Sequence, residues 1–237
     1  MYEAVLARPA GPSTVARLAS TAADYGYEGV VVSNPPDDST EYDAAAIREA
    51  YGVDVVAGLT LAPEDPASAG GAIGHHRPDT TVLCVRGGES INGYAVREPR
   101  VDVLVRPMAN GGDLDHVDVR AAADNGVRLA ADLGPVLRET GPSRSSAIAG
   151  LRKLRELVAD ADAPYVVTAG GESHLELRAP RELAAVASTA GFDRAAVERG
   201  LAEWGRLAER NRERLSEASV APGVRVADGP ELDGDAG

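Results

Sequence analysis

The chain has 237 residues, a net charge of −13 and only 4% aromatic residues, a length that suits one large α/β domain or two small ones. No apolar run approaches the roughly 18 residues of a membrane helix, and the opening MYEAVLARPAG lacks the basic-then-apolar order of a secretory signal, so a soluble cytoplasmic protein with no membrane contact is expected. The single cysteine, Cys84 in TVLCV, excludes an internal disulfide and reads as a small core residue.

Short Val-rich runs alternate with helical patterns along the chain. Strands are predicted over 2–6, 28–33, 53–61, 79–85, 101–106, 127–131 and 164–169, most of them apolar throughout, as parallel strands covered on both faces are. Between them, Pro12-Ser13 opens the helical stretch TVARLASTAADYG and Asp115 opens HVDVRAAADNG. A helix over about 146–159 has Ile148, Leu151, Leu154 and Val158 as its core stripe. Pro180 opens a helix ending near Gly191, and Gly26, Gly52, Gly126 and Gly191 stand where left-handed C-terminal caps favour glycine.

A last helix, about 193–215, alternates Arg and Glu at helical spacing and reads as a solvated outer helix. Beyond it the composition turns to Pro, Gly and Asp. The expected layout is one α/β domain over 1–215 and an acidic, disordered tail over 216–237. Seven βα units in series suit a TIM-like (β/α) barrel of about seven parallel strands. A dinucleotide fold is disfavoured because no G-x-G-x-x-G follows the first strand.

Of 24 basic residues only Lys153 is a lysine, and the chain is rich in Asp, Glu, Ala and Val. This composition resembles that of an extreme halophile's proteins. At molar salt the Debye length is about 3 Å, so overall acidity does not exclude a nucleic-acid partner. Local charge is uneven. Residues 34–66 carry eight acids against Arg48, a net of −7, and 216–237 carry five against Arg225, a net of −4. Residues 138–155 run the other way, with Arg138, Arg144, Arg152, Lys153 and Arg155 against Glu139, a net of +4.

Barrels carry their chemistry on the loops after the strands. A metal-dependent hydrolase needs converging histidines and carboxylates, but the chain has only His75, His76, His116 and His174. Adjacent His75 and His76 diverge on either a strand or a helix. Asp113, Asp115 and Asp118 around His116 read as helix-capping groups. His174 is either a general base or a polar contact. No GxSxG, HExxH or P-loop is present.

The other loop residues are arginines: Arg86 before Gly87-Gly88, Arg106 before Pro107, and Arg178 and Arg181 around Ala179-Pro180. Guanidinium groups beside glycine turns suit phosphate recognition, and backbone N–H groups after Pro180 would add donors. For Arg178 an ion pair with Glu172, Glu176 or Glu182 is the equal alternative.

The segments VDVLVRP, NGVRLAADLGPVLRETGPSRSSAIAGLRKLREL, PYVVTAGGESHLELRAPRELAAVASTAGF and AERNRERL resemble, in order and spacing, the archaeal ribonuclease P protein component 3 family. The likeness runs from about residue 80 to 215, with a weaker YGYEGVVVSN earlier. It implies a distorted barrel related to the polymerase-and-histidinol-phosphatase superfamily, with that superfamily's metal ligands lost.

It also implies a protein subunit of a ribonucleoprotein whose RNA cuts the 5′ leader from precursor tRNA. The expected partners are that RNA's catalytic half, precursor tRNA, the small component 2 subunit as a direct neighbour, and the other protein components. The chain itself would be non-catalytic and bind no cofactor; magnesium would serve the RNA. Carried over by position, Arg178 and Pro180 match the family's LR-S-P signature, Arg144 its arginine before the sixth helix, and Asp102 its acidic strand residue. The expected RNA contacts are Arg178, Arg144, Arg106, Arg86, Arg152, Lys153 and Arg181.

One departure stands out. Where the family tends to have Asn-Arg after the fourth strand, this chain has Asn92-Gly93-Tyr94, so Tyr94, Arg86 or Arg97 would have to supply that contact. The alternatives to an RNA-holding role are a metal-dependent phosphoesterase on the same barrel and a small-molecule enzyme with its phosphate site in the Gly170–Arg178 turn.

Overall fold

All seven predicted strands are present in the computed structural model, which describes residues 1–109 and 111–216 and the backbone of 219–221 and 224–225. They are β1 (Tyr2–Val5), β2 (Gly29–Val32), β3 (Asp54–Leu61), β4 (Val82–Arg86), β5 (Val103–Val105), β6 (Arg128–Asp132) and β7 (Tyr165–Thr168). Each pairs in parallel with the next, in chain order. Most of the tail expected to be disordered lies outside the described residues; within it, Ser219–Ala221 pairs antiparallel with Val224–Arg225.

Strand alternation sorts the side chains into two layers. Ala4, Val31, Val56, Val82, Cys84, Val103, Ala130 and Val166 fill the barrel interior. The alternate residues, among them Val30, Val55, Leu83, Leu104, Leu129 and Val167, face the surrounding helices. Cys84 is a buried core residue, as its setting predicts, and burial pushes its thiol well up.

The helices are α1 (Val15–Asp24), α2 (Ala44–Tyr51), α3 (Pro66–His76), α4 (Asn92–Ala95), α5 (His116–Asn125), α6 (Gly134–Arg138), α7 (Gly141–Ala161), α8 (Pro180–Ala187) and α9 (Arg194–Leu215). Gly52, Gly126 and Gly191 take left-handed caps where the sequence places them. Asp115 caps α5 by accepting from the Val117 and Asp118 amides at 2.8 and 2.9 Å. The DLDHVD cluster is therefore helix punctuation. The core stripe predicted for 146–159 is found on α7, but that helix begins five residues earlier, so Arg144 lies inside its first turn and not ahead of it.

The seam between β7 and β1 has one backbone bridge, Val5 to Gly171, with the Leu6 amide donating to Gly171 O at 3.0 Å. Side chains meet further groups along the β7 edge. The fully buried Glu3 accepts from the Ala169 amide at 3.1 Å and from the Thr168 hydroxyl, and Trp204 Nε1 donates to Val167 O at 2.9 Å. An unpaired buried strand edge would forfeit about 1–3 kcal/mol for each orphaned group, so these contacts close the barrel. Burial pushes the Glu3 carboxyl up to about 7, although its hydrogen bonds from Thr168, Ala169 and Ala4 work in the opposite direction.

The helix α9 is not the solvated outer helix its charges suggest. It buries Val197, Gly200, Leu201, Glu203, Trp204, Leu207, Ala208 and Asn211 beneath the barrel, and a Cβ at Gly200 would fall 2.5 Å from the Val167 side chain. Its polar side chains then reach the N-terminal ends of the strands. Glu203 meets Arg128 at 2.8 Å, Arg210 meets Asp102 at 2.7 Å, Arg212 meets Asp54 at 2.8 Å, and Asn211 donates to Thr81 O at 2.7 Å. The bottom of the barrel is thereby sealed.

Candidate functional site

With the bottom sealed, the open end is the top, where the strands deliver their last residues. Following the alternation of β4 upward, Val82 and Cys84 point inward and Leu83 and Val85 outward, which turns Arg86 into the mouth. Ser33, Thr60, Asp132 and Thr168 arrive there too, around a chamber of about 110 Å³ with Trp204 as its floor. Arg106 follows β5 with a φ of 54°, a strained conformation for a residue with a Cβ. This bend swings its half-buried side chain over the mouth, where Nε donates to Asp132 Oδ2 at 2.7 Å. The other Asp132 oxygen accepts from the Gly134 amide at 2.8 Å. Burial opposes the Arg106 charge, but Asp132, with Glu172 and Glu139 beyond it, more than offsets this and holds the guanidinium above its ordinary value.

The loop after β7 is braced on every side. Gly170 has a φ of 55°, open to glycine at low cost. Arg138 donates to the carbonyls of Ala169 and Gly170 at 2.9 and 3.2 Å. The Ser13 hydroxyl and His174 Nδ1 are 2.9 Å apart, and the His174 amide donates to the same hydroxyl. His174 thus serves as a polar contact joining the first and last loops. Arg178 Nη1 donates to the carbonyls of Leu175 and Leu177 at 2.9 and 2.8 Å, while Tyr27 OH donates to Arg178 O. Among the described residues Arg178 has no ion pair with Glu172, Glu176 or Glu182. Glu176 lies 3.6 Å from Arg138, and Glu182 accepts from the Ala179 amide at the start of α8.

The basic stretch 138–155 is less free than its sequence suggests. Lys153 Nζ is bound by both Asp113 oxygens at 2.6 Å, and Arg152 donates to Thr189 O at 2.8 Å. Arg144 and Arg181 are exposed and have no partner among the described residues. At the departure after β4, Asn92 is buried and staples two loops, donating to Pro107 O and Asp113 O and accepting from the Gly88 amide. Arg97 is taken by Gly93 O and Asp118, and Tyr94 is half-buried with its hydroxyl near Glu98. Of the three residues that could supply the missing contact, Arg86 alone is without a partner among the described residues. Asp102, 1% exposed, accepts from the Leu83 amide, Arg77 and Arg210 at the sealed end. It stands far from the loops and holds the fold.

Among the described residues no group of three or more His, Cys, Asp or Glu is placed to hold a metal ion, and no helix is long and apolar enough to cross a membrane.

The family model of the ribonuclease P subunit p30 matches residues 1–216. The chain belongs to that family. It is 56% identical over 229 residues to ribonuclease P protein component 3 of Haloarcula marismortui, covering 96% of this chain and 97% of the relative. The protein of the same name from Methanosarcina barkeri is 32% identical over 191 residues, 80% of each chain. Relatives at 50–56% identity come from haloarchaea, in keeping with the near absence of lysine.

Among solved structures, a chain of an archaeal ribonuclease P with mature tRNA superimposes with a TM-score of 0.80 at 18% identity, covering 98% of this chain and all of that one. A prolidase bound to N-methylphosphonate-L-proline reaches 0.51 at 9% identity, covering 94% and 77%. Both show the fold. The p30 match also extends the resemblance, quoted from about residue 80, back to the first strand.

Proposed function

We propose that the chain works as a non-catalytic protein subunit of ribonuclease P and holds the RNA that cuts the 5′ leader from precursor tRNA. The observation that carries this is membership of the p30 family along residues 1–216. The top of the barrel is the RNA side: Arg86, Arg106, Arg144, Arg178 and Arg181 gather on the loops and helix starts there, with Arg152 and Lys153 farther along α7. Contacts of this kind go to phosphates and position a folded RNA without reading its sequence. Arg178 supports the reading in a specific way, because one guanidinium nitrogen braces its own loop while the others remain available. Component 2 is the direct protein neighbour, other ribonuclease P proteins complete the particle, and magnesium serves the RNA, with none held by this chain.

Reconstitution tests it. The RNA and the remaining protein components process precursor tRNA faster when this chain is added, and the chain alone leaves precursor tRNA intact with or without divalent metal. Cleavage by the chain alone, abolished by substituting His174, would overturn the non-catalytic role.

A further inference from the structure

The mouth of the barrel holds an arrangement that a general RNA-facing surface does not require. Arg86 is the inward-facing residue at the end of β4 and has neither a hydrogen bond nor an ion pair among the described residues. Across the β4–β5 ladder, where Arg86 pairs with Val105, the strained Arg106 leans over the same space. Ser33, 8% exposed, brings to the chamber a hydroxyl with no partner among the described residues.

Interior layers of closed barrels are otherwise filled by apolar side chains. Arg86 itself is exposed at the mouth, so its charge carries no burial cost. The site is marked instead by a guanidinium and a hydroxyl that both keep hydrogen-bonding capacity for a ligand. Water answers an empty mouth, and a ligand of opposite charge answers it better. Asp132 is fully engaged by Arg106 and the Gly134 amide, so it leaves the Arg86 charge uncancelled. Glu172 also lines the chamber, on the far side of the ring from β4, and acts on the Arg106 charge.

We infer that the barrel mouth is a socket for one phosphate group, gripped by Arg86, steadied by Arg106 and Ser33, with Trp204 beneath it. A chamber of about 110 Å³ has room for one tetrahedral oxyanion. The planar fork of arginine suits two oxygens of such a group. The phosphate is either a group of the RNA or free inorganic phosphate. The first source rests on the ribonuclease P reading; the socket itself does not.

Equilibrium dialysis of the full chain against inorganic phosphate, in molar potassium chloride, tests the socket. One phosphate binds per chain and changes the fluorescence of Trp204, the only tryptophan. Arg86→Gln weakens binding about tenfold or more, as expected for loss of a charge-assisted bond. Arg86→Lys weakens it less, and Arg120→Ala, on the exposed side of α5, leaves it unchanged. Equal binding by Arg86→Gln and the parent, or no saturable binding by the parent, overturns the socket.

The assembled, RNA-containing complex then separates the sources. Loss of the phosphate site on assembly identifies an RNA phosphate, and retention of one phosphate per chain identifies the free ion. Failure of the chain to assemble with RNA would count against the subunit reading alone, because the dialysis result stands without it.

Discussion

The two ends of this barrel use the same residue type in opposite ways. At the bottom, Arg77, Arg128, Arg210 and Arg212 each meet a carboxylate no more than 13% exposed. At the top, Arg86, Arg144 and Arg181 meet none among the described residues, and Arg178 spends its donors on backbone carbonyls. Arg106, paired with Asp132, and Arg138, which adds Glu176 at 3.6 Å to two carbonyls, stand between the two patterns. A buried carboxylate fixes an arginine in one geometry. A carbonyl neutralises no charge, so the arginine remains attractive to an anion. Apart from Arg106, held by Asp132, and Arg138, near Glu176, position along the strands separates arginines that hold the fold from arginines available to a partner.

Substitutions sharpen this contrast, beginning at the bottom. Trp204→Ala removes the floor of the interior and the donor to Val167 O, and is expected to cost about 4 kcal/mol, read as an early denaturation midpoint in molar salt. A loss under about 1 kcal/mol would mean the interior does not depend on α9. Next, Asp102→Ala strands Arg77 and Arg210 at the sealed end. Breaking such a buried pair costs about 3 kcal/mol; a neutral result would dissolve the distinction between the two ends.

Glu3 gives a pH-dependent effect of similar size. Its carboxyl titrates near 7 in the fold against 4.5 as a free glutamate, so the folded protein keeps a proton that the unfolded chain releases between those values. The stabilisation is complete below pH 4.5 and is lost as pH rises through 7. Glu3→Gln mimics the protonated form, so its stability relative to the parent should rise by about 3 kcal/mol across that window. A constant difference across the pH range would refute this. The smallest stability effect belongs to the top: Arg144→Glu with Arg181→Glu should move stability by less than about 0.5 kcal/mol. The same pair should weaken RNA association and flatten its salt dependence, measured by binding titrations at several salt concentrations.

The strands were legible because Val runs bounded by Gly, Pro and acids leave few other readings. The caps at Asp115, Gly126 and Gly191 were legible because helix ends need those residue types. What escaped the sequence depends on distant partners. The buried stripe of α9, from Val197 through Leu201, Trp204 and Leu207 to Asn211, is regular in spacing, but its Arg and Glu neighbours mask it until their partners on the strands are known. Lys153 looked free because Asp113 lies 40 residues away in the chain. Glu3 matched no motif, since its role is set by a strand edge more than 160 residues later. Arg86 could be placed on a strand end from sequence, while its freedom from partners required every neighbouring side chain.

The side-chain seam orders events in time. The chain is made from its N-terminus, so β1 precedes β7 and Trp204 by some 160 and 200 residues. Throughout that interval the outer edge of β1, with the Glu3 carboxyl beside it, has no lasting mate. Closing the ring thus waits until β7 and α9 have been made, and α9 acts as the latch. Until it docks, the growing chain exposes an adhesive strand edge, which makes this subunit's own synthesis the moment of greatest exposure to misassociation.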